Sequence, residues 1–181
     1  MNVLIKKATI RGSLFLNFEF DQTDGDVKNN IKTACDAPIH DDLRLKFREL
    51  IPFFTYITEE ITDEKVIEDA VKNPEEYVFD FENAKSQVFF KYRVYEFSIQ
   101  EKKGFEMLTL SGSKQLANHQ EISFSTPPID MDSSDKYMTE LRAVIERMKE
   151  EVVAYMQGKQ APKTQLEMFG SSTDDSGAFE E

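Results

Sequence analysis

Twice along this chain, apolar residues that alternate with polar ones give way to apolar residues spaced three and four apart. That change of period, from about 2 to about 3.6, constrains the fold more than any other feature. Strands alternate because successive side chains point to opposite faces, and helices repeat because one stripe turns toward the core. In the first half, Val3 and Ile5, then Leu14, Leu16, Phe18 and Phe20, mark strands over residues 3–10 and 14–20. Asp24-Gly25 is a turn signal, and residues 27–33 can return as a partner strand. DAPIHDD then breaks the pattern: Pro38 disfavours helix at Ala37, and Asp41 can cap a new one. Leu43, Phe47, Leu50, Phe54 and Ile57 predict an amphipathic helix over residues 42–60, with Pro52 placed to kink it.

Residues 62–87 are acidic and irregular and read as an insertion between two structured halves. Within them Val66, Ile67, Ala70 and Val71 suggest a short helix that stops before Pro74. Residues 89–100 (FFKYRVYEFSIQ) are a strand, 101–104 a turn, 105–111 the return strand, and 121–125 a third, ended by Pro127-Pro128. Ser134 can cap a long helix whose stripe includes Tyr137, Leu141, Val144, Ile145, Met148, Val152 and Tyr155. Gly158 and Pro162 end it. The expected fold is therefore α+β: an antiparallel sheet of about six strands in two hairpin-rich halves, with two main helices packed on it. Residues 1–158 make one domain on this reading, and residues 159–181 a disordered acidic tail. The two halves match in order of elements but not in residues.

A chain of 181 residues, 40% hydrophobic with 15 Phe, can bury one ordinary core. It holds no apolar run of membrane-spanning length. The opening MNVLIKKATI lacks the basic-then-apolar build of a secretory signal, and the lone Cys35 has no internal disulfide partner. A cytoplasmic protein with no membrane partner is expected. Net charge of -12 argues against coating duplex DNA by general electrostatic attraction, but leaves a local basic groove open.

No catalytic residue, metal site or cofactor is expected. His40 and His119 lie far apart with no ligand spacing around them, and Cys35 has no evident base. Asp21, Asp24, Gly25 and Asp26 lack the spacing and the closing Glu of a calcium loop. Ser111-Gly112-Ser113-Lys114 lacks the rest of a phosphate-cradling loop. Glu101-Lys102-Lys103 contains the Glu-x-Lys element of one metal-dependent nuclease class, which also needs an upstream Asp; here it falls in a predicted turn. A nuclease built around Glu101 and Lys103 stands as a secondary alternative. The aromatic strand offers another. Phe89, Phe90, Tyr92, Tyr95 and Phe97 alternate in part with Lys91 and Arg93, and Lys85, Lys102, Lys103 and Lys114 lie nearby in sequence. Exposed aromatics among cations bind single strands by stacking, so Lys91, Arg93, Tyr95, Lys102, Lys103 and Lys114 are candidate nucleic-acid contacts. The competing reading makes one face of this strand core and the other ordinary surface.

The chain closes on KTQLEMFGSSTDDSGAFEE, in which Leu, Met and Phe follow a Gln in otherwise polar sequence. Gln165-Leu166-Glu167-Met168-Phe169 resembles the bacterial sliding-clamp-binding peptide, whose pattern is Gln, Leu, a small or acidic residue, Leu, Phe. Met168 replaces the usual Leu with a flexible apolar side chain of similar size. The resemblance implies that Gln165 fixes register through an amide that both donates and accepts. It implies that Leu166 lies beside the anchor while Met168 and Phe169 enter an apolar pocket. The alternative is that Leu166, Met168 and Phe169 fold back on the parent domain. DDSGAFEE is similar to the acidic, aromatic-tipped ends of single-stranded-DNA-binding proteins, although Glu180-Glu181 follow Phe179 here. DAPIHDDL, LTLSGSKQL and the closing peptide together resemble small uncharacterised proteins of phage and prophage replication regions. These resemblances imply a non-enzymatic accessory protein of phage or mobile-element DNA replication or recombination that docks on the sliding clamp. A single-stranded-DNA-binding protein with an acidic recruitment tail is the alternative. Recruitment and inhibition stay equally open, as does the oligomeric state.

Overall fold

Tight turns set the architecture, because each hairpin places its second strand against its first. The computed structural model describes residues 2–80 and 82–160. Strands β1 (Asn2–Arg11), β2 (Phe15–Asp24) and β3 (Val27–Pro38) form one antiparallel meander. β4 (Tyr92–Lys102), β5 (Phe105–Gln115) and β6 (Glu121–Ser125) form another, and the short β7 (Ile129–Asp130) pairs with β5 beyond β6. In the β4–β5 turn, Lys103 and Gly104 both take positive φ, 55° and 82°. That is the twist a two-residue hairpin needs, and Gly adopts it without steric cost.

The meanders join where β1 pairs antiparallel with β4, giving the order β3-β2-β1-β4-β5-β6. Each half thus fans outward from a central seam. Helix α1 (Asp41–Glu49) follows the first meander yet packs on β4 of the second. Helix α4 (Met138–Met156) follows the second meander yet packs on β1 of the first, and on α1. The arrangement is pseudo-two-fold about the β1–β4 seam. Ile5, Ala8, Leu16, Phe18, Phe97, Ile99, Leu108 and Leu110 face the helices and are buried. The opposite face carries a polar ladder, with Lys7 on Glu96 (2.9 Å), Lys32 on Glu19 (3.1 Å) and Lys28 on Asp21 (3.0 Å).

Several expectations are refined. The single helix over residues 42–60 is two: α1 ends at Glu49, and α2 (Ile51–Ile57) begins with Pro52 in its first turn. A proline is tolerated there because the first N–H groups of a helix have no internal partner. His40, not Asp41, caps α1: its Nδ1 accepts from the Asp42 amide at 3.2 Å. Residues 62–87 are more ordered than an excursion. They hold α3 (Glu64–Lys72), a π-helical turn (Glu75–Phe79) and a 3₁₀ turn (Ala84–Val88), and they bury Ile67, Ala70 and Val78. Ser134 does not cap α4. The residue before that helix is Tyr137, at φ 65° with no side-chain cap, its ring edge-on to Tyr56 at 5.2 Å. The start of α4 is thus marked by a ring contact and carries no side-chain cap.

Glu49 is buried where α1 meets α4 and accepts from Lys46 Nζ (2.5 Å) and Arg147 Nη2 (2.9 Å). Beyond α4, Gln160 bridges to Ile39, and Lys159 pairs with Asp42 (2.7 Å) and Glu151 (2.8 Å). No helix among the described residues is long and apolar enough to cross a membrane.

Glu60, just past α2, accepts from the Tyr92 hydroxyl at 3.0 Å and pairs with Lys114, so it ties the helical layer to β4 and β5. The Lys114 ammonium holds the Glu60 carboxyl below its ordinary value; burial opposes that and Tyr92 reinforces it. The Asn30 amide does the same to Asp21, and Lys159 to Asp42. A carboxylate depressed in the folded state adds stability above its unfolded pKa and loses it as pH falls through the folded value. The melting temperature should therefore drop as pH falls below roughly 4. Glu60→Gln should lower it at pH 7 and shrink the acid drop. A drop of unchanged size in that variant would show that the Glu60 pair does not contribute to acid sensitivity.

Candidate nucleic-acid interface

The seam between the meanders is short, and its end opens a cleft. β1 pairs with β4 only over Lys7–Ser98, Ala8–Phe97 and Thr9–Glu96. On β4, Val94 pairs with Gly112 and Glu96 with Ser111, so Tyr95 is the extra residue of a bulge. A bulge bends its strand and re-aims the side chains beside it. Past that point lies a cleft of about 560 Å³. Its walls come from Ile10 and the β1–β2 turn, from α1, from the segment before β4, and from the first residues of β4.

Its charge runs against that of the chain. Arg44, Arg48 and Arg93 line it, with Glu121 as the one carboxylate among the described lining residues, in a chain of net charge -12. Arg44 and Arg48 sit one turn apart on α1, so helical spacing stacks them on one face. Arg44 Nη1 lies 3.4 Å from Asp41, and its Nε–H is buried with no hydrogen-bond partner among the described residues. Burial pushes the Arg48 guanidinium down to about 10, so it is charged at neutral pH but poorly solvated. Arg93 is two-thirds exposed and 3.7 Å from Glu121, whose other oxygen accepts from Ser113 Oγ at 3.2 Å. Such an exposed, long ion pair holds an arginine loosely.

Aromatic surface lies beside these cations. Tyr77 and Tyr95 are half-buried, Phe90 is 40% exposed, and all three line the cleft. Tyr92 is buried; its hydroxyl serves Glu60, and burial, with that carboxylate, pushes its pKa up, so it remains a donor.

The structure divides the six predicted nucleic-acid contacts. Arg93 and Tyr95 are in the cleft. Lys91 and Lys114 both lie over the Tyr92 ring, at 5.3 and 5.9 Å, and Lys114 is further engaged by Glu60. Lys102 and Lys103 are at the far end of the hairpin, roughly 30 Å from Arg93 at about 3.3 Å per strand residue. Proximity in sequence misled here because a β-hairpin holds its tip as far from its base as its strands are long. Arg44, Arg48 and Tyr77 were missed; the available signal was the one-turn spacing of the two arginines beside the apolar stripe of α1. Phe89 and Phe90 were assigned to β4 but precede it, Phe89 buried and Phe90 partly exposed.

Elsewhere the chemistry is sparse. Glu101 pairs with Glu106 near the hairpin tip, and Lys103 is in the turn itself. Among the described residues, no three or more His, Cys, Asp or Glu side chains cluster to hold a metal. Burial raises the Cys35 thiol above its ordinary value, which lowers its thiolate fraction. Gln165, Leu166, Met168 and Phe169 lie outside the described residues. No protein-family model, no curated protein and no solved structure matches this chain.

Proposed function

We propose that this chain is a non-enzymatic accessory protein of phage or mobile-element DNA replication or recombination, working in the cytoplasm and docked on the bacterial sliding clamp through residues 165–169. The observation that carries this reading is the pentapeptide Gln165-Leu166-Glu167-Met168-Phe169, which starts five positions after Gln160. Gln160 is still tied to Ile39 of the folded unit, and four residues, 161–164, separate it in sequence from the peptide. Docking there would bring the folded unit to the clamp, either as cargo or as a competitor of other clamp ligands.

A synthetic peptide of residues 160–172 is expected to bind a bacterial sliding clamp with a dissociation constant on the order of micromolar, since a few anchors must offset the cost of ordering a short segment. Phe169→Ala or Leu166→Ala should remove most of the affinity. Met168→Leu should hold or improve it, and Glu167→Ala should change little. No binding by calorimetry, or a larger loss at Glu167 than at Phe169, would sink the proposal.

The second reading, a protein that binds single-stranded DNA, is favoured by one observation: Arg93 and Tyr95 share a cleft with Arg44 and Arg48.

A further inference from the structure

We propose that the cleft between α1 and the start of β4 is the docking site of this chain's own segment after Lys163, with Leu166, Met168 and Phe169 on its apolar wall and the carboxylates of that segment against Arg44 and Arg93. This deepens the clamp reading, because a docked peptide is withheld from the clamp. Only that consequence rests on the clamp reading; the docking itself stands without it.

Gln160 leaves the folded unit beside this cleft. It is bridged to Ile39, whose N–H donates to the Leu14 carbonyl at 2.8 Å. Leu14 follows Gly12 and Ser13, which line the cleft, and Arg44 lies four residues into α1, just past His40. Two strand spacings, roughly 10 Å, therefore separate Gln160 from the turn that lines the cleft. The six residues from Gln160 to Leu166 span up to roughly 20 Å, and the nine to Phe169 up to roughly 30 Å. The apolar anchors reach the cleft with chain to spare.

Charge selects this cleft. Residues 164–181 hold five carboxylates and no Lys or Arg. Among the described residues lining the cleft, the charged ones are three arginines and Glu121. Arg48 is engaged within the fold and adds only to the local field. Arg44 and Arg93 are the ones open to a carboxylate. Their side chains are 37% and 66% exposed, and their ion pairs are long, 3.4 Å to Asp41 and 3.7 Å to Glu121. Exposed pairs of that length hold little, so little has to be broken for either guanidinium to turn to the segment. A second groove, of about 350 Å³ between β1 and α4, also lies near Gln160, since Gln157 lines it. Its charged lining residues are Glu146, Glu150 and Lys149, and Lys149 is held by Glu146 at 2.7 Å. That groove repels an acidic segment. The cleft's volume of about 560 Å³ admits a few side chains, and Ile10 with the half-buried Tyr77 and Tyr95 gives them apolar surface. A single strand would also suit the arginines, but the tethered segment is present at an effective concentration on the order of millimolar.

The test uses the full chain with a nitroxide on Glu167→Cys in a Cys35→Ser background, and reads the broadening of backbone amides by NMR. Docking should broaden Gly12, Ser13, Arg44 and Tyr95 and spare Lys103 and Gly104 at the far end of the β4–β5 hairpin. Leu166→Ala with Phe169→Ala should remove most of the broadening at Tyr95, because a few anchors carry most of such an affinity. Arg93→Gln, or added salt, should reduce it. Thermal melts confirm that each variant is folded; Arg93 is exposed, so its substitution spares the core. In a second arm, the full chain should bind a bacterial sliding clamp about tenfold more weakly than the peptide of residues 160–172, the factor for a segment docked about nine-tenths of the time. Arg93→Gln should recover part of that loss. Broadening at residues 3–5 and 153–157 instead would put the segment in the other groove and overturn the proposal. Broadening that ignores both the anchors and Arg93 would reflect the tether alone and would overturn it too. If dT12 shifts the Arg44 and Tyr95 amides while the label leaves them sharp, the cleft is a single-strand site and the proposal falls. If the peptide does not bind the clamp but anchor-dependent broadening is present, the clamp reading falls and the docking stands. If peptide and full chain bind the clamp equally well, the segment is not withheld and the regulatory consequence is overturned.

Discussion

Gly112→Ala should cost at least about 3 kcal/mol or prevent folding, the upper end of overpacking effects. A Cβ at this position would lie 2.3 Å from the Arg93 carbonyl oxygen and 2.8 Å from Phe54 Cζ. Neither neighbour can retreat. The carbonyl belongs to β4, paired with β5 on either side of the bulge. The Phe54 ring is fully buried and packs on Phe124 at 4.8 Å. A smaller cost would require β4 to shift away from β5, and that shift would move Arg93 and Tyr95 in the cleft. Denaturant unfolding gives the answer: a midpoint within about 0.2 M of the parent, at equal slope, would show that the clash is relieved by some unseen adjustment.

Phe97→Ala is expected to cost about 3–5 kcal/mol, the range for a large aromatic removed from a packed core. Phe97 is 0% exposed and sits on the seam, opposite Ala8 of β1 and Leu110 of β5. Its ring also lies 6.4 Å from Phe47 of α1. Because it joins elements of both halves, its loss should lower the midpoint of one transition and not split it. Two separate transitions by fluorescence and circular dichroism would mean that the halves fold independently, contrary to the reciprocal packing of α1 on β4 and α4 on β1.

Most of the secondary structure was legible because it depends on local periodicity. Leu16, Phe18 and Phe20 alternate, and all three face the helices. Leu141, Val144, Ile145, Met148 and Val152 recur at helical spacing, and all are buried along α4. At the β2–β3 and β4–β5 turns the residues that take positive φ are Gly25 and the pair Lys103-Gly104. Boundaries were less legible. Tyr137 begins α4 in a left-handed conformation held in part by Tyr56, a contact between residues far apart in sequence. Such a start has no local signature.

The candidate site was only partly legible, for the same reason. Arg93 and Tyr95 stood out because aromatic and basic residues alternate along one strand. Lys102 and Lys103 looked equivalent to them in sequence, yet the hairpin carries them to its far end. Arg44 and Arg48 looked like the ordinary polar face of an amphipathic helix, and they matter only because α1 crosses to the other half of the sheet.

By itself, the sequence determined the α+β class, the two meanders, the helical stripes and the five-residue peptide at 165–169, since each is a matter of neighbouring residues and their spacing. The tertiary structure alone decided that β1 and β4 meet at the centre, that each half lends its helix to the other, and that three arginines of an acidic chain share one cleft with partly exposed rings. Those outcomes depend on pairing edges and burying faces between segments tens of residues apart. No local period encodes such choices; they are settled by which arrangement removes the most apolar surface from water while leaving backbone hydrogen bonds satisfied.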